Sequence, residues 1–232
     1  HISHTTLYRY INDGLFLRIT NKNLPLGKRK RQYNKVRRVA YKNALKPGID
    51  TRPQEVKDRQ TFGHWEMDTV IGKAKGKGAC LLVLSERKTR AELIIKIRQK
   101  TATNVVAAIN RLERLCAPHF KDIFKSITVD NGTEFDDTEG ITKNNRTKLY
   151  YCHPYSSWER GTNENINKMI RRHIPKSTSL TKYTKQQIKE IQNWINNYPR
   201  QIFNGKTSNM LLDEEITKIT GLNLSSFLAT NT

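Results

Sequence analysis

The sequence predicts an α/β domain in which a mixed β-sheet is flanked by helices. Three strand-like segments, 64–71, 80–85 and 91–97, follow one another with short connections. A segment with helical periodicity, 104–115, comes next. A further strand, 126–129, then precedes more strand and helix. Strands that come first as a run and later alternate with helices are typical of a mixed sheet covered by helices.

The first three strands are expected to form an antiparallel meander, because their connections are too short for a crossover. The turn between the first two is rich in Gly and Lys (residues 72–78), and the fourth strand ends at Asp130, where Asn131-Gly132 supplies a turn. Tyr150 and Tyr151 indicate another strand. Many folds share this outline, so the function must be argued from the site.

The helical segments have apolar stripes that would face a core. In segment 104–115 the stripe consists of Val105, Ala108, Ile109, Leu112 and Leu115. A second helix is predicted over 162–173, and Pro175 ends it. A third amphipathic helix contains Ile188, Ile191 and Ile195 and ends near Pro199.

The charge of the chain indicates a polyanionic partner. The 232 residues include 42 Lys and Arg against 21 Asp and Glu, a net charge of 42 − 21 = +21. The longest apolar run, 79–84, is far too short to span a bilayer, so an anionic membrane is the weaker alternative to nucleic acid. Three widely spaced cysteines fit a reduced cytosolic protein better than a disulfide framework.

The N-terminal quarter is expected to precede the domain rather than to belong to it. Residues 1–14 predict a short helix, with Ser3 as its N-cap and Gly14 at its end. A helix this short needs partners, which we expect in chain upstream of His1. Residues 15–57 predict a basic linker, which is either solvated or lies along phosphates. The residues expected to contact DNA here are Lys28, Arg29, Lys30, Arg31, Arg37 and Arg38.

Three acids are candidates for a metal site: Asp68 on the first strand, Asp130 at the end of the fourth, and Glu164 near the start of a helix. Close carboxylates repel one another, and divalent cations reverse that effect, so convergence would indicate two Mg²⁺ or Mn²⁺ ions that act at phosphorus. The alternative is that each is an ordinary surface acid. Glu66 would be either a supporting acid or solvated, and Glu134 would touch the site or lie outside it.

Three motifs resemble the insertion-sequence-thirty (IS-thirty) family of bacterial transposases. They are Phe62-Gly63-His64-Trp65-Glu66-Met67-Asp68, Val129-Asp130-Asn131-Gly132-Thr133-Glu134-Phe135, and Tyr155-Ser156-Ser157-Trp158-Glu159-Arg160-Gly161-Thr162-Asn163-Glu164-Asn165. In that family 33 residues separate the second and third acids, and the same number separates Asp130 from Glu164 here (164 − 130 − 1 = 33). The resemblance covers residues 1 to about 212.

The resemblance implies an RNase H-like, integrase-type core in which Asp68, Asp130 and Glu164 bind Mg²⁺ or Mn²⁺. It implies DNA cleavage at element ends and strand transfer by 3′-hydroxyl attack on target DNA, carried out by a homo-oligomer on DNA in the bacterial cytoplasm, at the nucleoid. Residues 1–14 would be a helix-turn-helix remnant, 58–200 the catalytic domain and 201–232 a helical tail. Arg160, Lys168 and Arg171, close to the third acid, would contact DNA. A nuclease of the same fold and a truncated, non-catalytic DNA binder are the alternatives.

Overall fold

The computed structural model describes residues 2–24, 46–73, 78–154, 156, 159 and 161–230, with backbone alone at 161–164 and 228–230. The chain divides into two compact units, His1–Val39 and Ala40–Thr232. Residues 46–57 of the predicted linker belong to the larger unit and so pack with the domain that follows them, whereas described residues 15–24 belong to the smaller unit.

In the larger unit the described strands form one five-stranded sheet with the order β3-β2-β1-β4-β5. The strands are β1 (His64–Ile71), β2 (Cys80–Glu86), β3 (Glu92–Ile97), β4 (Ser126–Val129) and β5 (Lys148–Tyr151). The pairs β1–β2 and β2–β3 are antiparallel, which confirms the predicted meander, whereas β1–β4 and β4–β5 are parallel. The sheet is therefore mixed, as the sequence predicts.

Helices precede, connect and follow these strands. They are α1 (His4–Asn12), α2 (Gln54–Asp58), α3 (Ala102–Leu115), α4 (Phe120–Ile123), α5 (Thr138–Thr142), α6 (Gly161–His173), α7 (Lys185–Asn196), α8 (Ser208–Thr220) and α9 (Leu224–Thr230). Polar side chains accept hydrogen bonds from the free N–H groups at the N-termini of several helices. Thr101 caps α3, and Thr184 and Gln187 form a capping box on α7.

The core lies between the sheet and helices α3, α4, α7 and α8. Every residue of β2 is buried, and Trp65 and Met67 of β1 are 1% and 0% exposed. The Trp65 indole stacks on Phe124 at a centroid distance of 4.8 Å and donates a hydrogen bond to the Ile123 carbonyl at 2.7 Å. Burial of such large apolar side chains is the main source of stability, and it holds β1 rigidly.

Helix α7 covers the open edge of the sheet at β3. The Asn196 side chain accepts from the Glu92 N–H at 2.8 Å and donates to the Glu92 carbonyl at 2.9 Å. Gln192 accepts from the Ile94 N–H at 2.7 Å. These amide side chains occupy backbone groups that would otherwise be available to pair with another strand.

The segment that precedes β1 in the larger unit, from residue 46 onward, packs beside β5. Tyr151 donates its N–H to the Pro47 carbonyl at 2.9 Å, and Gly48 forms an isolated parallel bridge with Tyr151. Ile49, Arg52 and Val56 are buried. Tertiary contacts thus order a stretch whose Pro, Gly and charged residues suggest a linker when it is seen in isolation.

In the smaller unit, α1 forms where the sequence predicts a helix. The Ser3 hydroxyl accepts from the Thr6 N–H, and Gly14 follows the helix at a φ of +75°, a conformation that glycine adopts without strain. The described part of the chain contains no helix with both the length and the apolar composition needed to cross a bilayer.

Candidate active site

Asp68 and Asp130 lie where the parallel pairing of two adjacent strands, β1 and β4, comes to an end. The β1–β4 pairing runs from His64–Ser126 to Glu66–Thr128. Two residues further along, the two chains carry Asp68 and Asp130 respectively, and residues paired in this way project from the same face of a sheet. Both aspartates are half-buried. The structure therefore brings together two of the three predicted acids.

The backbone holds each aspartate in a defined orientation. Asp68 Oδ1 accepts a hydrogen bond from the Thr69 N–H at 2.8 Å, and Asp130 Oδ1 accepts one from the Gly132 N–H at 2.9 Å. The Asn131 side chain donates to the Cys152 carbonyl at 2.8 Å, which ties the turn after β4 to the end of β5. The Asn-Gly turn predicted from the sequence is thus the element that presents Asp130.

Helix α6 docks on Asp68 through Asn167. The Asn167 amide donates to Asp68 Oδ2 at 2.9 Å. Residue 164 lies three positions earlier, about one turn, in the helix that contacts Asp68 through Asn167. The carboxyl group of Glu164 itself lies outside the described part of the structure. Sequence reasoning missed Asn167, although its spacing of i+3 from a proposed acid was a signal that could have found it.

A further acid, Glu134, borders the site. Its Oε1 accepts from the Thr69 hydroxyl at 2.7 Å and pairs with Lys100 Nζ at 3.1 Å, and its side chain is 2% exposed. Thr69 therefore contacts both Asp68 and Glu134. The sequence left open whether Glu134 touches the site, and the structure places it beside both strand-borne acids.

Buried charges lie beneath Asp68 on β1. Glu66 is fully buried and forms an ion pair with Arg87, while Arg52 donates to the Thr128 hydroxyl at 3.2 Å. Burial lowers the pKa of both guanidinium groups, and the negative charge of Glu66 opposes that effect. The solvated alternative for Glu66 is therefore wrong. Removing only one member of this buried ion pair would leave the other charge unpaired, which is costly. The pair therefore stabilises the attachment of β1, at Glu66, to the residue that follows β2, Arg87.

His64 lies at the start of the same strand, on the face that Glu66 and Asp68 share. Its Nδ1 is 2.8 Å from the Ser126 hydroxyl. Burial lowers the pKa of His64 to about 4, an effect that Glu55 partly offsets. The imidazole is neutral near pH 7 and acts as a packing group that links β1 to β4.

The loop between β5 and α6 is held by His153. Its Nδ1 lies 2.7 Å from Glu159, and its Nε2 lies 2.9 Å from Asp50. Both ring nitrogens must donate to serve two carboxylates, which requires the protonated ring. The hydrogen bonds from His153 to Glu159 and Asp50 accordingly raise its pKa. The pair of contacts links the segment before the sheet to the chain that leads into α6.

The structure describes two of the predicted DNA-contacting residues, Lys168 and Arg171. Lys168 on α6 is exposed, while Arg171 is half-buried and donates to the Ile71 carbonyl at 2.6 Å. The others lie outside the described residues: Lys28, Arg29, Lys30, Arg31, Arg37, Arg38 and Arg160.

The donor set suits a hard divalent cation. Asp68 and Asp130 supply carboxylate oxygens, the ligands that Mg²⁺ and Mn²⁺ prefer. Among the described side chains, no three His, Cys, Asp or Glu are grouped as metal ligands. A three-acid site therefore depends on Glu164, whose helix contacts Asp68 through Asn167.

The fold and this arrangement define a class of protein. Residues 58–157 match the integrase core domain family, and the predicted RNase H-like α/β fold is confirmed by that match and by the mixed sheet. Among solved structures, the chain is similar to the catalytic core domain of BIV integrase, with 18% identity, a TM-score of 0.49, and coverage of 67% of this chain and 97% of that one.

Its curated relatives are transposases of insertion sequences. The chain is 39% identical over 208 residues to the transposase for IS4351 of Bacteroides fragilis, covering 86% of this chain and 60% of that protein. It is 36% identical over 212 residues to the probable transposase for IS1161 of Streptococcus salivarius, covering 91% and 58%. It is 33% identical over 168 residues to transposase InsI for IS30A of Escherichia coli K12, covering 72% and 42%.

These relationships confirm the predicted resemblance: the chain is a homologue of insertion-sequence transposases, IS30 elements included. It spans about 60% or less of the length of the relatives it matches.

Proposed function

We propose that this chain carries the catalytic part of a DDE transposase, a polynucleotidyl transferase that cleaves DNA at the ends of an insertion sequence and joins them to target DNA. One observation carries the proposal. Asp68 and Asp130 lie just beyond the last pair of two adjacent parallel strands, and Asn167 ties the helix that contains Glu164 to Asp68. The two aspartates would then hold Mg²⁺ or Mn²⁺ together with Glu164.

Bound divalent ions supply charge neutralisation at the phosphorus and lower the pKa of an attacking water. In the first reaction the oxygen of water bonds to the scissile phosphorus and the bond to the 3′-oxygen breaks, which leaves a 3′-hydroxyl on the element. In the second, that hydroxyl loses its proton, bonds to a target phosphorus and displaces another 3′-oxygen. No covalent bond to the protein forms in either reaction.

The residues of this chain would keep the acids in place during both reactions. The N–H groups of Thr69 and Gly132 each occupy one carboxylate oxygen, which orients the other oxygen of Asp68 and of Asp130. The buried pair Glu66–Arg87 and the packed Trp65 hold β1 rigidly below. Preorganisation of this kind matters because small displacements of a catalytic group are costly in rate.

The partner in this proposal is DNA, both as element ends and as target, bound by a homo-oligomer at the bacterial nucleoid. A net charge of +21 supports a phosphate-rich partner, and exposed Lys168 on α6 lies one turn beyond position 164. The basic residues from Lys28 to Arg38 would add contacts along the DNA backbone, which bind without reading base sequence.

A strand-transfer assay tests the proposal against its two alternatives. The 232-residue chain is incubated with a labelled duplex of its own element end, target DNA and Mg²⁺. We expect cleavage and joining, and we expect Asp68→Asn, Asp130→Asn and Glu164→Gln each to abolish both while DNA binding stays near normal. The exposed Asp122, changed to Asn, serves as the matched control.

The alternatives give different results in the same assay. A nuclease would cleave without joining, and a non-catalytic remnant would only bind. EDTA should stop both reactions, and Ca²⁺ should support binding but little chemistry, because its larger and looser coordination shell misplaces the attacking oxygen. Full activity in EDTA, or strand transfer by Glu164→Gln at the parent rate, would contradict the proposal.

A further inference from the structure

We propose that Glu134 is a positioning residue that sets the separation of Asp68 and Asp130. In this proposal Lys100 pairs with Glu134 and reduces its repulsion of the two aspartates. This inference rests on the proposed transposase function. It concerns an acid that is not one of the three proposed metal ligands. Its basis is that the Glu134 side chain contacts both strand β1, at Thr69, and the turn after β4, at Gly132.

Backbone pairing stops short of the two aspartates. The last pair in the β1–β4 ladder is Glu66–Thr128, two residues before Asp68 and Asp130. Beyond that pair, ladder hydrogen bonds no longer hold the two strand ends together. The separation of the aspartates must then be maintained by side chains.

Glu134 spans this gap. Its Oε1 accepts from the hydroxyl of Thr69, whose N–H holds Asp68 Oδ1. Its Oε2 lies against Gly132, whose N–H holds Asp130 Oδ1. A single buried side chain therefore contacts both residues that orient the two aspartates.

The position of Gly132 shows how close the two carboxylates are. A Cβ atom at this glycine would lie 2.5 Å from Glu134 Oε2 and 2.9 Å from Asp130 Oδ1. These two oxygens are therefore no more than 5.4 Å apart, the sum of the two distances. A side chain at this position would have to displace the carboxylate of Glu134 or Asp130.

The charges around Glu134 fit a role next to cations. Lys100 Nζ lies 3.1 Å from Oε1 and offsets one negative charge, whereas Oε2 is buried and has no hydrogen-bond donor among the described residues. An unpaired carboxylate oxygen near Asp130 raises the negative potential on that side of the site. It thereby favours a divalent cation while the ion pair with Lys100 limits repulsion between the acids.

The test compares Glu134→Gln with a matched variant, Glu113→Gln. Glu113 is also an ion-paired acid, bound to Arg146 at 2.6 Å. For each 232-residue variant, Mn²⁺ binding is measured by calorimetry without DNA, and strand transfer is titrated with Mg²⁺. Glutamine loses both the negative charge and the ion pair with Lys100 that holds the Glu134 side chain in place, although its amide oxygen can still accept from Thr69.

We expect Glu134→Gln to weaken Mn²⁺ binding, and to raise the Mg²⁺ concentration for half-maximal activity, by about 10- to 100-fold, the range typical of groups that orient metal ligands. The affinity for DNA should stay the same. Glu113→Gln should match the parent in all three measurements. If Glu134→Gln does not fold, Thr69→Val provides the second test, because it removes the bridging hydroxyl and should shift the Mg²⁺ requirement in the same direction.

The outcomes separate this inference from the function on which it rests. Normal metal binding by Glu134→Gln, or by Thr69→Val where that variant must replace it, would overturn the role of Glu134 while loss of activity in Asp130→Asn would still support the transposase proposal. Strand transfer by Asp130→Asn at the parent rate would overturn the proposed function itself.

Discussion

Asn167 donates a hydrogen bond to Asp68 across 2.9 Å and thereby joins helix α6 to strand β1. The two residues are 99 positions apart in the chain. Because an amide N–H can donate only when it faces the carboxylate, this contact fixes both the rotation of the helix and the orientation of Asp68. In the proposed site, this docking would place residue 164 one turn from the contact with Asp68.

We expect Asn167→Asp to reduce strand transfer more than Asn167→Ala does. Alanine removes a donor to Asp68, whereas aspartate also places a like charge beside it. By analogy with other groups that orient metal ligands, the alanine variant should lose about 10- to 100-fold. Labelled-end strand transfer at saturating DNA measures the effect. Asn193→Asp on exposed α7 is the control, and equal activity of all variants would contradict the expectation.

Lys168→Ala and Arg171→Ala should differ in their effect on stability. Lys168 is exposed, so its loss should weaken DNA positioning and leave the fold intact. Arg171 donates to the Ile71 carbonyl, so its loss should also lower the free energy of unfolding by about 1.5 to 3 kcal/mol, the usual contribution of a hydrogen bond from a charged group. Urea unfolding and strand transfer, measured on both variants, check this. Equal stability would show that the contact with Ile71 contributes nothing.

Neutralising four of the basic residues between Lys28 and Arg38 should flatten the salt dependence of DNA binding. Each phosphate contact contributes about 0.9 to the slope of log K against log salt, so the slope should fall by roughly 3 to 4. Binding is measured on duplexes of two unrelated sequences, and the change should be the same for both because phosphate contacts do not read bases. An unchanged slope would mean that this segment does not touch DNA.

His64 should make the domain sensitive to acid. Its folded pKa, about 4, lies below the unfolded value of 6.5, so the unfolded state takes up the proton more readily. The stabilisation is fully present above pH 6.5, falls as the pH is lowered toward 4, and is constant below that. At most about 3 kcal/mol is involved, from about 1.4 kcal/mol per pH unit. Unfolding free energies measured between pH 7 and 4 test this, and His64→Asn, which cannot titrate, should show a shallower decline.

Local patterns in the sequence were sufficient to predict several elements. The limits of β1 and β4, His64–Ile71 and Ser126–Val129, agree with the prediction, and α6 differs by one residue at its start. Each is bounded by residues that act over short distances, such as the Asn131-Gly132 turn. Helix α8 was predicted only as part of a tail, and α2 fell inside the predicted linker. Both depend on buried contacts that no local pattern encodes.

The residues of the candidate site also fall into two groups, those that the sequence could predict and those that depend on tertiary contacts. Asp68, Asp130 and Glu164 could be proposed from residue type, spacing and family resemblance. Asn167 was missed despite its i+3 spacing from Glu164, and Glu134 remained undecided, because their partners lie 99 and 65 residues away in the chain. The sequence could not decide whether Glu66 is solvated or buried. Alternation along a strand shows which residues share a face of the sheet, but it does not show whether other elements cover that face.

The sequence by itself determined the alternation of strands and helices, the basic charge that favours a phosphate-rich partner, and the acids proposed for the metal site. The first two follow from periodicity and composition, which are properties of neighbouring residues, and the acids follow from motif spacing and family resemblance. Only the tertiary structure decided the strand order β3-β2-β1-β4-β5, the burial of Glu66 against Arg87, and the contacts of Asn167 and Glu134 around Asp68. The physical reason is that parallel pairing of β1 with β4 requires a crossover through α3, and that crossover brings together side chains that are far apart along the chain.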